Sequence, residues 1–492
     1  MRHNSDLFEL IKSLNKNEKR YFRLYASMQS GNKNYLKLFS AVEKLHLYDE
    51  KKLREIYKKE NFINQLAYTK NYLYELIIKS LASYNSERSV DSRIHLMISE
   101  CKVLFSKALF RQYFRAISKA KKYALKHERF GYYLQILDME KVIIKKEEIQ
   151  TEKSDLIYKE AVTALEKIKN IFDYSRLASK VNIIYREYGT TRGQKQENEL
   201  SGILTDPLLI NINNAQCERS KESFYRIYEI INNARADYTE TLKSVEMRKK
   251  VVDNSPGPFK DYIIDLNSDI IFSMLNTYMN LNMFGEAEKY MKLYYNTLTQ
   301  QPADRIEFEI YSIFFKFRLH IRKGDIKKAA KLIPVLETIL ETYRNKLLID
   351  LELNILFTII KCRILENNFD MALRSANRLM THPLLDKRAD YETYTRILNL
   401  IIHYELGNYS LLKYLIISTY RYLYKREKKF RLESVLLDFI RKIPDVKNEE
   451  ILKFSFISLK RKLEELKKDE YEKNAFEYFD FVEWINGKIT SK

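Results

Sequence analysis

At 492 residues the chain is too long for a single hydrophobic core and is expected to form two to four domains, or one array that adds core as it adds units. Its 10 glycines and 7 prolines leave little material for the tight turns of a β-protein, while 45% hydrophobic residues suffice to build a helical core. The net charge of +20, concentrated in the first 200 residues, fits either solvated lysine-rich helix faces or a basic binding surface, and by itself selects neither.

Asn15 followed by Glu18 predicts a capping box opening a helix through Tyr21, Phe22, Leu24, Tyr25 and Met28, which Gly31–Asn34 would end. Further helices are predicted over 35–45, 50–59 and 62–81, giving an N-terminal helical domain over residues 1–90. The stretch 49–81, two helices joined near Glu60–Asn61, has the outline of a helix-turn-helix, although its turn lacks the usual glycine. Helical periodicity resumes at Arg93 and breaks at 189–202 (GTTRGQKQENELSG), where three glycines and a polar composition predict a surface loop. The region 91–252 is therefore read as helical, with divergent repeats around that loop. Asp253-Asn254-Ser255-Pro256-Gly257-Pro258 is the densest cluster of helix breakers, and the main internal boundary is placed there. A repeat array over 253–446 and capping helices over 447–492 follow.

A short turn recurs beyond that boundary as NMFGEA (282–287), GDIKKA (324–329), NNFDMA (367–372) and GNYSLL (407–412). The closing residues Ala287, Ala329, Ala372 and Leu412 are 42, 43 and 40 residues apart. Each turn opens on Gly or Asn, suited to the left-handed conformation that ends a helix. An aromatic or Ile follows at the third position to plug the corner, and a small or apolar residue lets the second helix approach. Ile310, Ile313, Phe314, Phe317 and Ile321 before one turn, and Ala329, Leu332, Ile333, Leu336 and Leu340 after it, form helical stripes. Pro334 falls within the second helix and predicts a kink. RQYFRA (111–116), four steps of about 43 before Ala287, is read as a further copy.

The turn, GDIKKA above all, resembles that of the tetratricopeptide repeat family. The departures are a period of about 42 rather than roughly 34 and the absence of the family's Trp and Gly positions in the first helix. The resemblance implies an all-α fold, an α-solenoid of TPR-like hairpins behind the N-terminal helical domain. It also implies that ligand-facing side chains come from the first helix of each hairpin. Eleven residues before the closing residue stand Asn276, Arg318, Lys361 and Ile401, and the same face adds Asn280, Arg322, Tyr404 and Glu405. A partner-binding groove of Asn276, Asn280, Arg318, Arg322, Lys361 and Tyr404 is expected, net basic and suited to an acidic or C-terminal-carboxylate peptide.

The most basic run, 421–431, carries Arg421, Lys425, Arg426, Lys428, Lys429 and Arg431 interleaved with Tyr422, Tyr424 and Phe430. Such a mixture suits single-stranded nucleic acid or, equally, the wet face of a helix. Seven histidines include no pair at helical spacing, and no phosphate-cradling loop or nucleophile elbow occurs, so no catalytic residue, metal or cofactor is assigned. Cys101, Cys217 and Cys362 lie far apart and read as reduced, buried hydrophobes. With no signal-like or membrane-length apolar stretch, a cytoplasmic address without membrane insertion is expected. The function these features imply is a non-enzymatic helical-repeat scaffold binding a protein or peptide. The alternative is a nucleic-acid-associated regulator using residues 49–81.

Overall fold

The computed structural model describes residues 6–28, 34–45, 47, 49–58, 60–85, 89–144, 151–297, 302–343, 347–426, 430–443, 446 and 448–490. Among the described residues every regular element is a helix, and none is long and apolar enough to cross a membrane. Two compact units divide at 164/165 rather than at the expected boundaries of 90/91 and 252/253. The Pro256–Pro258 break lies inside the second unit because Phe259 is buried in one cluster with Val245 and Val252 before it and Ile270 and Met274 after it. Helix breakers end an element; a shared core keeps both sides in one unit.

In the first unit, Asp6–Ser13 (α1), Lys16–Ser27 (α2), Asn34–Lys44 (α3) and Glu50–Ile56 (α4) lead through a 3-10 turn to Leu66–Asn85 (α5). Asn15 Oδ1 accepts from the Glu18 N–H and Glu18 Oε2 from the Asn15 N–H, both at 2.9 Å, so the predicted capping box opens α2. Ile11, Phe22, Leu38, Phe39, Leu53, Leu73 and Ile77 make the core, with α5 packed on α1, α2 and α3. The helix-turn-helix outline at 49–81 changes accordingly. Its first helix has seven residues, and its second is spent on the core of its own unit. Val90–Ser106 (α6), Phe110–Lys126 (α7) and Phe130–Ile144 (α8) then pack as consecutive hairpins.

Thr151–Tyr188 (α9) spans the boundary between the units, and the second unit continues with Gln194–Leu204 (α10) and Pro207–Ile210 (α11). Helices then pair with their successors: Glu218–Ala234 (α12) with Tyr238–Asn254 (α13), and Ile263–Asn280 (α14) with Phe284–Thr297 (α15). The next hairpin sets Pro302–Arg322 (α16) against Ile326–Ala330 (α17) and Ile333–Thr342 (α18). Pro334 stands in the first turn of α18, so the expected kink is a break; there its missing N–H would have no partner in any case. Ile349–Leu365 (α19) pairs with Phe369–Met380 (α20), and Ala389–Glu405 (α21) with Tyr409–Lys425 (α22). Arg431–Lys442 (α23), Glu449–Leu466 (α24) and Phe481–Thr490 (α25) complete the unit, and one apolar cluster runs from Ile310 to Ile485.

The recurring turn has one backbone solution. Asn282, Gly324, Asn367 and Gly407 all have positive φ, between 57° and 76°. After each, the next N–H donates five residues back, as Asp325 to the His320 carbonyl at 2.9 Å, and the opener donates to the carbonyl three residues back, as Gly324 to Ile321 at 3.1 Å. This is the Schellman closure of a helix. The same pair of bonds closes α6 at Ala108, α7 at Glu128 and α12 at Ala236, each again with positive φ. Phe110, Phe130 and Tyr238 follow two residues on, and the buried Tyr113, Tyr133 and Thr241 five residues on. The early copy therefore opens at Ala108, and RQYFRA lies inside α7, three residues out of register.

The segment 189–202 is not a surface loop. Thr190, Thr191 and Arg192 are buried, and residues 194–204 form α10, whose Leu200 enters a core with Tyr174, Val181 and Ile227. Its polarity has a partner that composition does not reveal: Arg192 meets Glu433 at 2.9 Å and Glu472 at 2.7 Å. Burial alone would drive the Arg192 charge off, and the two carboxylates reverse this and hold it protonated. The three cysteines are free and buried, and burial pushes the Cys101 and Cys362 thiols up to about 11 and about 12.

Candidate functional site

A cavity of about 1280 Å³ lies within the second unit. Its wall comes from α9 and from the first helices α12, α14, α16, α19 and α21, with Tyr238, Arg426, Glu477 and Tyr478 also lining it. Asn276, Asn280, Arg318, Arg322 and Lys361 all line it, on three successive first helices. The repeat register appears directly in the hydrogen bonds. Arg318 donates to Asn276 Oδ1, and Arg322 to Asn280 Oδ1 at 3.2 Å, each reaching 42 residues back to the equivalent position.

Tyr404 does not join them. It is buried with its ring near Trp484, Phe456 and Tyr409, while Glu405 accepts from Trp484 Nε1 at 2.7 Å and from Lys488. Ile401 has no exposed surface. The C-terminal helix α25 thus covers the Tyr404–Glu405 end of α21, which enters the cavity wall only through its first turn, Ala389–Tyr391.

Ion pairing inside the cavity is uneven. Arg388 meets Asp390 at 2.8 Å and Asp350 at 3.2 Å, and Arg186 also reaches Asp350. Glu229 and Asp269 are held by the fully buried Arg248 at 3.0 and 2.6 Å. Arg322 contacts Glu477 at 3.2 Å. Arg318 and Lys361 have no carboxylate partner among the described residues: Arg318 has Asn276 and the rings of Phe314 and Phe315, and Lys361 lies over the ring of Phe357 at 5.8 Å. Lys361 is half-buried, deep in the wall yet open to the cavity. Burial, then the neighbouring Arg322 and Arg318 charges, pull its ammonium down to about 7. Burial and Arg322 likewise bring Arg318 down to about 10. Both shifts have the sign of positive charge held in low dielectric, which at Lys361 Glu477 offsets only in part.

Glu477 was not among the expected residues. It comes from the 3-10 turn Glu472–Glu477, far from the repeats, and also faces Tyr238, whose hydroxyl is pushed up first by burial and then by this carboxylate. No periodic signal leads to it.

The basic run at 421–431 is dispersed. Arg421 and Lys425 are exposed at the end of α22, Arg426 lies over Tyr422 at 5.6 Å and lines the cavity, and Arg431 opens α23 and pairs with Asp469 at 3.1 Å. Lys428 and Lys429 lie outside the described residues. Phe430 packs under Arg192 at 4.8 Å rather than offering a stacking face. In 49–81, Arg54 and Lys70 both pair with Glu50, at 2.9 and 2.8 Å, which removes two cations from any phosphate-binding stripe there. No protein-family model matches the chain, and no curated protein is significantly similar to it in sequence.

Proposed function

We propose that the chain is a non-enzymatic, tetratricopeptide-like helical-repeat protein whose second unit binds an acidic segment of a partner protein in the cavity on its first helices. The supporting observation is the pair of cations, Arg318 and Lys361, that face this cavity without a carboxylate. Their positions repeat at the hairpin period, so an extended acidic chain lying across successive first helices meets donors at regular intervals. In this reading the hairpins form a stacked solenoid and the cavity is its concave face.

The experiment is calorimetric titration of the full chain with a hexaglutamate peptide. Binding that weakens at least tenfold in Arg318→Glu, about 1.4 kcal/mol, is the expected result. Lys361→Gln, which adds no charge, should weaken it less but in the same direction. Far-UV circular dichroism and the fluorescence of Trp484 confirm that both variants are folded. Equal affinity in the parent and in Arg318→Glu, or no binding to the parent, would overturn the proposal.

A further inference from the structure

We propose that the pole of the cavity formed by Arg318, Lys361 and Arg322 is a phosphoryl site that takes a dianionic phosphate group in preference to a single carboxylate. This rests on the cavity being the ligand groove, as proposed above, and specifies the chemistry of its ligand.

Charge counting comes first. Of the three cationic side chains, Arg322 is paired with Glu477 at 3.2 Å, while Arg318 and Lys361 have no ion-pair partner among the described residues; Arg318 brings one charge, and Lys361 a second once an arriving anion restores its proton. One carboxylate would match only one of the two. A phosphoryl group carries about −1.5 to −2 near neutral pH and matches both.

Hydrogen-bonding capacity points the same way. Asn276 and Asn280 turn their Oδ1 atoms to Arg318 and Arg322, so their remaining polar groups toward the cavity are N–H donors. Guanidinium, ammonium and the two asparagines line the same cavity, and the asparagine Oδ1 acceptors are already taken by the arginines. Three phosphoryl oxygens can use such a surface more fully than the two of a carboxylate. A metal cation would be repelled. Glu477 is paired with Arg322, and it also favours the Lys361 ammonium without reversing the effect of burial and the two arginines.

The state of Lys361 supplies a signature. Because burial and its two arginine neighbours hold the ammonium near 7, a dianion arriving beside it restores the proton, and binding above that pH is accompanied by proton uptake.

The test titrates the full chain calorimetrically at pH 8 with inorganic phosphate, with a phosphoserine-containing acidic peptide, and with the same peptide carrying Glu in place of phosphoserine. Each titration is run in two buffers of different protonation enthalpy. The phosphopeptide should bind about tenfold more tightly than its Glu counterpart and take up close to one proton. Lys361→Met should erase both the preference and the proton uptake, and Arg318→Gln should weaken the phosphopeptide most. Equal affinity of the two peptides, or a preference that survives Lys361→Met with no proton uptake, overturns the phosphoryl site while leaving acidic-peptide binding standing. Binding of inorganic phosphate with neither peptide bound supports the phosphoryl site and overturns the peptide reading. Absence of binding by all three overturns both.

Discussion

Replacing Arg192 by Met tests how the second unit is held together. The guanidinium side chain is 4% exposed, and its two carboxylate partners, Glu433 and Glu472, are 1% and 6% exposed. Removing one member of such a buried cluster leaves charges without compensation, which typically costs about 3–5 kcal/mol. The two acids will not suffer equally. Glu472 still accepts from the backbone N–H groups of Arg431 at 2.7 Å and Leu432 at 3.2 Å, whereas Glu433 keeps only the Tyr394 hydroxyl at 3.5 Å. Adding Glu433→Gln to Arg192→Met should therefore recover more stability than adding Glu472→Gln. Trp484, the only tryptophan of the chain, is buried in the same unit and reports its urea unfolding without interference from the first unit. A loss below about 1 kcal/mol, or better rescue by Glu472→Gln, would refute the assignment of Arg192 as the counter-charge that makes this burial tolerable.

Lys361→Met should stabilise the chain. The folded-state ammonium titrates near 7 against an ordinary 10.5, so between those values the unfolded chain holds a proton that the folded chain lacks, and stability rises with pH. The penalty is complete below about pH 7; the variant should gain roughly 2 kcal/mol at pH 6 and almost nothing near pH 10, read from urea unfolding at the two pH values. Gly189→Ala and Gly324→Ala separate two costs of positive φ. An added Cβ at Gly324 meets open space and should cost about 1 kcal/mol, whereas at Gly189 it would press on the Tyr478 hydroxyl and stand 2.8 Å from Asp390, costing about 3 kcal/mol or more in the same measurement. At Ala236, with φ of 57°, the reverse change Ala236→Gly should raise stability by up to about 1 kcal/mol in thermal unfolding.

What could be read from the chain divides along a physical line. Turns that use Gly or Asn to reach positive φ announce themselves, and Asn282, Gly324, Asn367 and Gly407 were found in this way. Ala108, Glu128 and Ala236 adopt the same conformation with side chains that carry no such signal, because the hydrogen bonds and the packing of Phe110, Phe130 and Tyr238 outweigh a local cost of about 1 kcal/mol. Composition misled at 189–202 for a related reason. A polar segment reads as wet unless its partners are known, and those of Arg192 lie 241 and 280 residues away. The breakers at 256–258 likewise marked the end of α13 correctly, but not the edge of a unit.

The same division governs the site. Asn276, Asn280, Arg318, Arg322 and Lys361 were accessible from the repeat because equivalent positions on successive first helices face one way, and the 42-residue hydrogen bonds from Arg318 and Arg322 express that equivalence. Which of these charges lack an ion-pair partner is decided outside the repeat. The C-terminal segment buries Tyr404 beneath Trp484, which shortens the row, and sends Glu477 to Arg322, which balances one cation of three. A repeat sets where charges stand, but the net charge of a cavity is a sum over everything that lines it, and here two carboxyl-terminal elements fix that sum. Charge reversal at Glu477 therefore belongs with the repeat positions as a test of the proposed site: Glu477→Lys would replace three cationic side chains, one of them paired, by four with no carboxylate partner among the described residues, and should tighten dianion binding in the calorimetric titration if the pole is open to ligand beside Arg322.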